Sequence, residues 1–253
     1  MGAIMTVILN TWIFEKDVKQ GTNQAQLVSR VKALGADGIE VRREYFKDLD
    51  RELAQVGQTA KEAGLIVNYS VPDVVFSEDG SINPKLVNYF EEGKILGISK
   101  IKFNTGHFDK FDGDLRSAFS ELPLDQIEMN VENDQTILSG KVAPIKTFLE
   151  AAHEAGYPGI GYVYDLGNWA FTHGDAIASA DALRESTNYI HLKNTINVNG
   201  ELSTSDDLDE GVYDWRDILT HLPHEVSFAL EYPMDSDEQI KQQINLLKAE
   251  IGD

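Results

Sequence analysis

The sequence predicts an α/β protein that folds as a single (β/α)8 barrel, the TIM-barrel fold. Short apolar stretches typical of strands alternate eight times with amphipathic helical stretches along 253 residues. Strict alternation indicates a parallel sheet, and eight units in about 250 residues are what this barrel needs. No glycine-rich phosphate loop follows the first strand, which disfavours the alternative, a doubly wound open sheet. We expect one domain over residues 1–253.

The first four strand–helix units are predicted from the period of their apolar residues and from their helix stops. In the first helix, Leu27, Val28 and Val31 recur at helical spacing, and Gly35 follows the last helical residue. The predicted strands are Thr6–Asn10, Gly38–Val41, Leu65–Tyr69 and Lys100–Phe103; the predicted helices are Gln24–Leu34, Leu49–Ala63, about Pro84–Leu96 and Leu115–Glu121.

The last four units follow the same pattern, with one longer polar connection. The predicted strands are Ile127–Val131, Ile160–Tyr164, Tyr189–Leu192 and Val226–Leu230; the predicted helices are Val142–Ala155, Ala176–Glu185, Trp215–Leu222 and Asp237–Ile251. A polar segment, Asn194–Gly211, separates the seventh strand from its helix. Such a segment lies over the strand ends where a barrel builds its active site.

The composition is that of an ordinary soluble protein and excludes several partners. The chain is 42% hydrophobic, contains no cysteine and has a formal net charge of −20. We therefore expect no disulfide or thiolate site, and no membrane span or signal peptide is evident. So much negative charge repels phosphate backbones and anionic lipid, which argues against nucleic-acid and membrane partners. We expect a cytoplasmic protein, and association into a homo-oligomer stays open.

Four polar side chains stand where the predicted strands of the second half end. They are Glu132, Asp165, His191 and Glu231. Because the C-terminal strand ends of a barrel meet at one mouth, the four side chains should converge there. Carboxylates so close together repel one another unless a cation neutralises them. The set predicts one divalent metal ion, with Mn2+, Mg2+ or Co2+ preferred and Zn2+ compatible; a structural ion-pair network is the alternative.

Four further residues near strand ends are candidates for binding a small substrate. Lys102 could bind a substrate oxygen or pair with an acid, and Lys193 shares the strand face of His191. Glu40 could bind a sugar hydroxyl or form a salt bridge with a neighbouring arginine. Trp12 could stack on a sugar ring, or it could pack at the barrel mouth.

Several motifs resemble those of the xylose-isomerase-like barrel superfamily of sugar isomerases and epimerases. They are Val131-Glu132-Asn133, Asp165-Leu-Gly-Asn168-Trp169, His191-Leu-Lys193-Asn194, Gly211-Val-Tyr-Asp214-Trp215 and Leu230-Glu231. The order and separations of the motifs also fit that superfamily, and the resemblance covers nearly the whole chain.

This resemblance implies that Glu132, Asp165, His191 and Glu231 are metal ligands and that Glu132 and Glu231 also act as the catalytic acid/base pair. It implies a metal-dependent isomerase or epimerase of a sugar or sugar phosphate. One glutamate would remove a proton beside a carbonyl, giving a metal-stabilised enediolate. The other would return the proton to the opposite face or to the neighbouring carbon.

The chain also departs from the superfamily pattern. Asn168 stands where several sugar epimerases have a histidine that contacts substrate, so Asn168 is included among the substrate-binding candidates. Ketose epimerases often have an arginine soon after the strand-seven histidine, and the segment 195–199 contains none. The motifs thus predict a site without naming the sugar. A metal-dependent lyase resembling inosose dehydratase and a non-catalytic sugar-binding barrel are the alternatives.

Overall fold

The computed structural model describes residues 5–252 and contains a closed barrel of eight parallel strands. The strands in this range are β1 (Thr6–Asn10), β2 (Gly38–Arg42), β3 (Ile66–Phe76), β4 (Lys100–Gly106), β5 (Glu128–Glu132), β6 (Gly161–Asp165), β7 (Thr187–Leu192), β8 (Thr195–Val198), β9 (Glu201–Thr204) and β10 (Ser227–Leu230). The order around the barrel is β1-β10-β7-β6-β5-β4-β3-β2. The predicted fold class is therefore confirmed. Residues 1–4 and 253 lie outside the described range, and one domain over 1–253 stays a prediction.

Helices follow the barrel strands and pack outside them. In residues 5–252 they are α1 (Glu15–Lys19), α2 (Gln24–Leu34), α3 (Leu49–Ala63), α4 (Leu86–Leu96), α5 (Leu115–Ala118), α6 (Val142–Glu154), α7 (Asn168–Phe171), α8 (Ala176–Leu183), α9 (Trp215–Thr220) and α10 (Asp237–Ile251). None of the helices in that range is long and apolar enough to cross a membrane.

The helix ends in the first half follow directly from the sequence. Asn23 and Gln26 form a reciprocal capping box at the start of α2, which satisfies backbone N–H groups that have no partner within the helix. Gly35 ends the same helix with φ of 88°, a left-handed conformation that glycine adopts without steric cost. Leu27, Val28 and Val31 of α2 are buried in the main core between helices and strands.

The inside of the barrel sets the position of the site, because alternate residues of a strand face the same side. An apolar floor is formed by Ile8, Val163, Tyr189 and Ala229. Two residues further along the same four strands, the next inward positions hold Asn10, Asp165, His191 and Glu231. The strand period therefore lifts a layer of polar side chains directly above an apolar layer.

Two connections differ from the sequence prediction. Strand β3 continues to Phe76 rather than ending at Tyr69, with an irregularity between Ser70 and Val74 in its pairing with β4. The polar segment after β7 contains the antiparallel hairpin β8–β9. The fourth predicted helix is shorter than expected, since α5 ends at Ala118. These differences affect the rim of the barrel and leave the strand order unchanged.

Candidate metal centre

Four neighbouring strands bring the predicted metal ligands together. Glu132 is the last residue of β5, Asp165 the last of β6, His191 the fifth of β7, and Glu231 follows β10 directly. One potential ligand atom from each lies within 4.8 Å of the others, and all four residues are buried. The structure therefore contains, among residues 5–252, a buried group that could hold a metal ion.

The geometry at Nδ1 of His191 favours a cation over hydrogen bonding alone. This nitrogen lies 3.0 Å from Oε1 of Glu132 and 3.0 Å from Oε2 of Glu231. A ring nitrogen carries at most one hydrogen, so it cannot satisfy both oxygens. Only the contact with Glu231 has hydrogen-bond geometry, and Oε1 of Glu132 is buried without a partner.

A second carboxylate oxygen of the group also lacks a hydrogen-bond partner. Oδ2 of Asp165 lies 2.6 Å from Nζ of Lys193, but the orientation is not that of a hydrogen bond, and this oxygen is also buried without one. Buried carboxylate oxygens are costly unless they are bonded or coordinated. The group consists of three carboxylates and one imidazole, and two of the carboxylate oxygens lack hydrogen bonds. Such a group fits a hard divalent ion and is compatible with zinc.

Two buried lysines neutralise the carboxylates. Nζ of Lys102 lies 2.6 Å from Oε2 of Glu132 and 3.7 Å from Oε1 of Glu231. Nζ of Lys193 lies 3.2 Å from Oε2 of Glu231, in addition to its contact with Asp165. Burial alone would lower the pKa of each lysine, but the nearby carboxylates raise it above the ordinary lysine value. Both lysines are therefore charged at neutral pH.

The three carboxyl groups differ in pKa because they differ in burial and in the charges beside them. Burial alone would raise the pKa of Glu132, but Lys102 and His191 lower it to about 2. At Glu231, Lys102 and Lys193 outweigh burial and hold the pKa well below its usual range. At Asp165 burial dominates and raises the pKa to about 7 although Lys193 opposes it. Asp165 is thus the candidate ligand whose ionised form the protein's own charges stabilise least.

Glu40 occupies a different place from the one expected for a substrate-binding residue. Its carboxylate is 1% exposed and lies beneath the site, with Oε2 3.2 Å from Nε2 of His191. Asn10 donates hydrogen bonds to Oε1 of Glu40 (2.5 Å) and to Oε1 of Glu231 (3.0 Å). Glu40 does not line the cavity, nor does it pair with Arg42 or Arg43. In the structure its contacts are thus with Asn10 and His191, and its predicted contact with substrate stays a prediction.

A cavity of about 330 Å³ opens above the carboxylates. Four predicted substrate-binding residues are on its wall, namely Trp12, Lys102, Asn168 and Lys193. Nζ of Lys193 lies 5.4 Å from the centre of the Trp12 ring system, so a cation and an aromatic face share one wall. A larger cavity of about 430 Å³ lies at the other end of the barrel, beside the starts of β5 and β6. It lacks a comparable group of titratable side chains.

The amide of Asn168 is largely engaged in holding the loops around the cavity. Its Nδ2 donates to the carbonyl of Asn133, its Oδ1 accepts from Gln135, and its backbone N–H donates to Asp165. Asn133 in turn accepts from the backbone N–H of Asp165 and from the hydroxyl of Tyr162. The loop after β5 and the loop after β6 are thereby tied together, which fixes Asp165 relative to Glu132.

Sequence reasoning did not assign a role to Arg42, which also lines this cavity. Arg42 is two residues beyond Glu40 on β2, so the strand period already placed it on the inward face. Its neighbour Arg43 instead pairs with Glu92, with two contacts of 2.8 Å. The alternation of β2 therefore indicated that Arg42, and not the adjacent Arg43, faces the inside of the barrel.

The chain is thus a (β/α)8 barrel that carries, at its strand ends, a buried group of acids and one histidine that could hold a metal ion. A scan against protein-family models and a search of curated protein sequences give no match. Solved structures do match, and they include the probable 3-DHS dehydratase AsbF from Bacillus anthracis. That structure has a TM-score of 0.73 at 16% identity, over 96% of this chain and 99% of the other.

Two further solved structures match over nearly the whole chain. D-allulose 3-epimerase from Methylomonas sp., in complex with D-allulose, has a TM-score of 0.69 at 13% identity, over 97% of both chains. The IolI protein with a zinc atom has a TM-score of 0.70 at 12% identity, over 98% of both chains. At such identities the shared property is the fold. The chain has the fold of xylose isomerase-like sugar epimerases and dehydratases, which confirms the resemblance found in its motifs.

Proposed function

We propose that the protein is a metal-dependent isomerase or epimerase that acts on a sugar or sugar phosphate. The observation that carries the proposal is the approach of Glu132 and Glu231 to one atom. The two carboxylates come from β5 and from the end of β10, and each places an oxygen 3.0 Å from Nδ1 of His191. Two carboxyl groups beside one metal position allow an ionised one to remove a proton and a protonated one to return a proton.

The four ligand residues fit a divalent ion, preferably Mn2+, Mg2+ or Co2+, with Zn2+ compatible. Such an ion supplies positive charge that acidifies a C–H next to a carbonyl and stabilises the resulting enediolate. The protein supplies the proton acceptor and donor. Glu132 and Glu231 are ionised at neutral pH because Lys102 and His191 lower the pKa of both carboxyl groups. In the proposed reaction one ionised glutamate takes a proton from the carbon beside the carbonyl. The other, after taking a proton from solvent, donates that proton to the enediolate, and the first then releases its proton to solvent.

The side chains on the cavity wall are suited to a polar cyclic substrate. Trp12 offers an aromatic face, on which the C–H face of a sugar packs well, and Lys102, Lys193 and Asn168 offer donors. The position to which the proton returns decides the reaction. Return to the same carbon from the other face inverts that centre, whereas return to the neighbouring carbon exchanges an aldose and a ketose.

A metal-dependent lyase is the second candidate. The first part of the reaction would be the same, because removal of a proton beside a carbonyl also prepares the loss of a hydroxyl group. The match to a probable dehydratase supports this candidate as the matches to epimerases support the first. The product separates the two, since loss of water leaves a new double bond.

The proposed function is tested by exchange of substrate protons in D2O, followed by NMR. The metal-loaded protein is incubated with a panel of ketoses, cyclic polyol ketones and their phosphates. We expect deuterium to enter at a carbon beside the carbonyl of one compound, and we expect a chelator to stop the exchange. A compound that binds tightly without exchange or turnover across the panel would instead indicate a non-catalytic sugar-binding barrel.

A further inference from the structure

Arg42 presents unused hydrogen-bond donors to the cavity. It is the last residue of β2, and its side chain is 21% exposed. Nε donates to Oε1 of Glu44 (2.7 Å) and Nη1 donates to Oε1 of Glu231 (3.0 Å). Nη2 makes no hydrogen bond to any of residues 5–252. The N–H groups of Nη2 are therefore free beside the carboxylate of Glu231, a candidate metal ligand.

Aromatic side chains hold this guanidinium in place. Its central carbon lies 5.7 Å from the ring centre of Trp12 and 5.8 Å from that of Tyr45. Contact with two aromatic rings restricts the guanidinium, so less side-chain entropy is lost when a ligand binds. Burial alone would lower the pKa of Arg42, but Glu231 and Glu44 raise it, so the side chain is fully charged.

Three cationic side chains line the cavity of this strongly acidic protein, beside three carboxylates. Arg42, Lys102 and Lys193 all line its wall, although the chain has a formal net charge of −20. Their partners are mainly the carboxylates that a divalent ion would also neutralise. A bound metal ion would therefore share these carboxylates, so that less of the positive charge of the three side chains would be neutralised. A remaining acid of the wall, Asp134, is engaged through its Oδ1 with Thr136 in its own turn.

We propose that Arg42 binds an anionic oxygen group of the substrate, a carboxylate or a phosphate, through the free N–H groups of Nη2. This inference rests on the proposed function and selects anionic substrates over neutral sugars. A guanidinium recognises such groups through paired N–H donors, and these charge-assisted bonds are about twice as strong as neutral ones. Lys102 and Lys193 contribute positive charge to the same cavity. Trp12 provides the wall between Arg42 and Lys193.

The first test measures binding of inorganic phosphate to the Mn2+-loaded protein by calorimetry. Arg42→Gln should weaken binding by about tenfold or more, because a hydrogen bond to a charged group is lost. Arg43→Gln is the matched control, since Arg43 is adjacent, pairs with Glu92 and does not line the cavity. Arg42→Lys, which keeps the charge without the fork, should give an intermediate affinity even if Arg42→Gln folds poorly.

The result that would overturn the inference is equal phosphate binding by the Arg42 variants and the Arg43 control. A metal titration of the same variants gives a second criterion. If Arg42→Gln bound Mn2+ more weakly but bound phosphate like the wild type, Arg42 would serve only to position Glu231.

The second test distinguishes this inference from the proposed function. Deuterium exchange is compared for a neutral ketose, its phosphate ester and a keto sugar acid of the same length. A preference for the phosphate or for the acid identifies the anionic group and should be reduced in Arg42→Gln. Exchange of the neutral ketose at the same kcat/KM would overturn the inference while supporting the function. If none of the compounds exchanged deuterium but phosphate binding still depended on Arg42, the proposed function would be wrong and the inference about Arg42 would stand.

Discussion

Oε2 of Glu40 lies 3.2 Å from Nε2 of His191, on the ring edge opposite the two glutamates that approach Nδ1. A carboxylate bonded to the far nitrogen of a ligating histidine fixes the orientation of its ring and its tautomer. His191 is completely buried and its ring packs edge-on against Tyr189. The imidazole therefore has one orientation, in which Nδ1 faces the carboxylates.

This relationship predicts that Glu40→Gln weakens metal binding. Loss of such a partner typically lowers metal affinity by about 10–100-fold. The measurement is a calorimetric titration with Mn2+, and the 15N shifts of the His191 ring report its tautomer. Glu128→Gln is the control, because Glu128 lies lower in the barrel and pairs with Lys100. Unchanged affinity and unchanged ring shifts in Glu40→Gln would show that Glu40 does not support the site.

The two proposed acid/base residues predict separate losses of turnover. Glu132→Gln and Glu231→Gln should each lower kcat by about 10²–10⁴-fold, the usual contribution of a positioned acid or base. Each amide keeps an oxygen for the metal, so metal binding is measured alongside turnover. Solvent deuterium should no longer enter the substrate when the residue that removes the proton is replaced. Full turnover by either variant on the true substrate would make the two-carboxylate mechanism wrong.

Metal binding should stabilise the folded protein. A ligand that binds only the native state at a free concentration 100 times its Kd adds about 2.7 kcal/mol. For a chain of this size that corresponds to a rise in Tm of about 5–10 °C. Thermal unfolding is followed with a chelator and with each of Mn2+, Mg2+, Co2+ and Zn2+. Asp165→Asn should remove most of the shift, and a Tm insensitive to all four ions would contradict the metal site.

The convergence of the four candidate ligands was predictable because it depends on topology. A parallel barrel brings all C-terminal strand ends to one mouth, so Glu132 and Glu231 converge although they are far apart in sequence. The role of Glu40 depends on depth along the barrel axis. At the end of β2, Glu40 and Arg42 share the inward face, but only the three-dimensional register shows that Glu40 lies under His191 while Arg42 reaches the cavity.

The hairpin β8–β9 shows a different reason for an incomplete prediction. Its strands Thr195–Val198 and Glu201–Thr204 do alternate between polar and apolar residues, but each is only four residues long and half exposed. The pattern is therefore too short to stand out within Asn194–Gly211. The turn was nevertheless encoded, because Asn199 and Gly200 have φ of 55° and 93°. An Asn-Gly pair with positive φ at both positions is the preferred two-residue hairpin turn. The tip of this hairpin exposes Val198, which is 49% accessible.

The packing inside the barrel gives the last prediction, which concerns Gly38. A Cβ at this position would lie 2.4 Å from Cδ1 of Ile8 and 2.7 Å from the carbonyl oxygen of Ile66. The oxygen belongs to the neighbouring strand β3 and cannot move without disturbing the barrel. Gly38→Ala should therefore destabilise the protein by about 1–3 kcal/mol, the usual cost of overpacking a core.

Urea unfolding measures this loss, and Gly159→Ala is the matched control because a Cβ there meets nothing within 4 Å. The control should change stability by no more than about 0.5 kcal/mol. Adding Ile8→Val to Gly38→Ala removes the Cδ1 contact, so it should recover part of the loss, whereas the contact with the Ile66 oxygen persists.

If Gly38→Ala proved as stable as the control, the barrel interior beneath the site would be less tightly packed than the structure indicates. The polar layer above the apolar floor could then shift. In that case barrel packing would not fix the positions of Asn10 and Glu40, which orient His191.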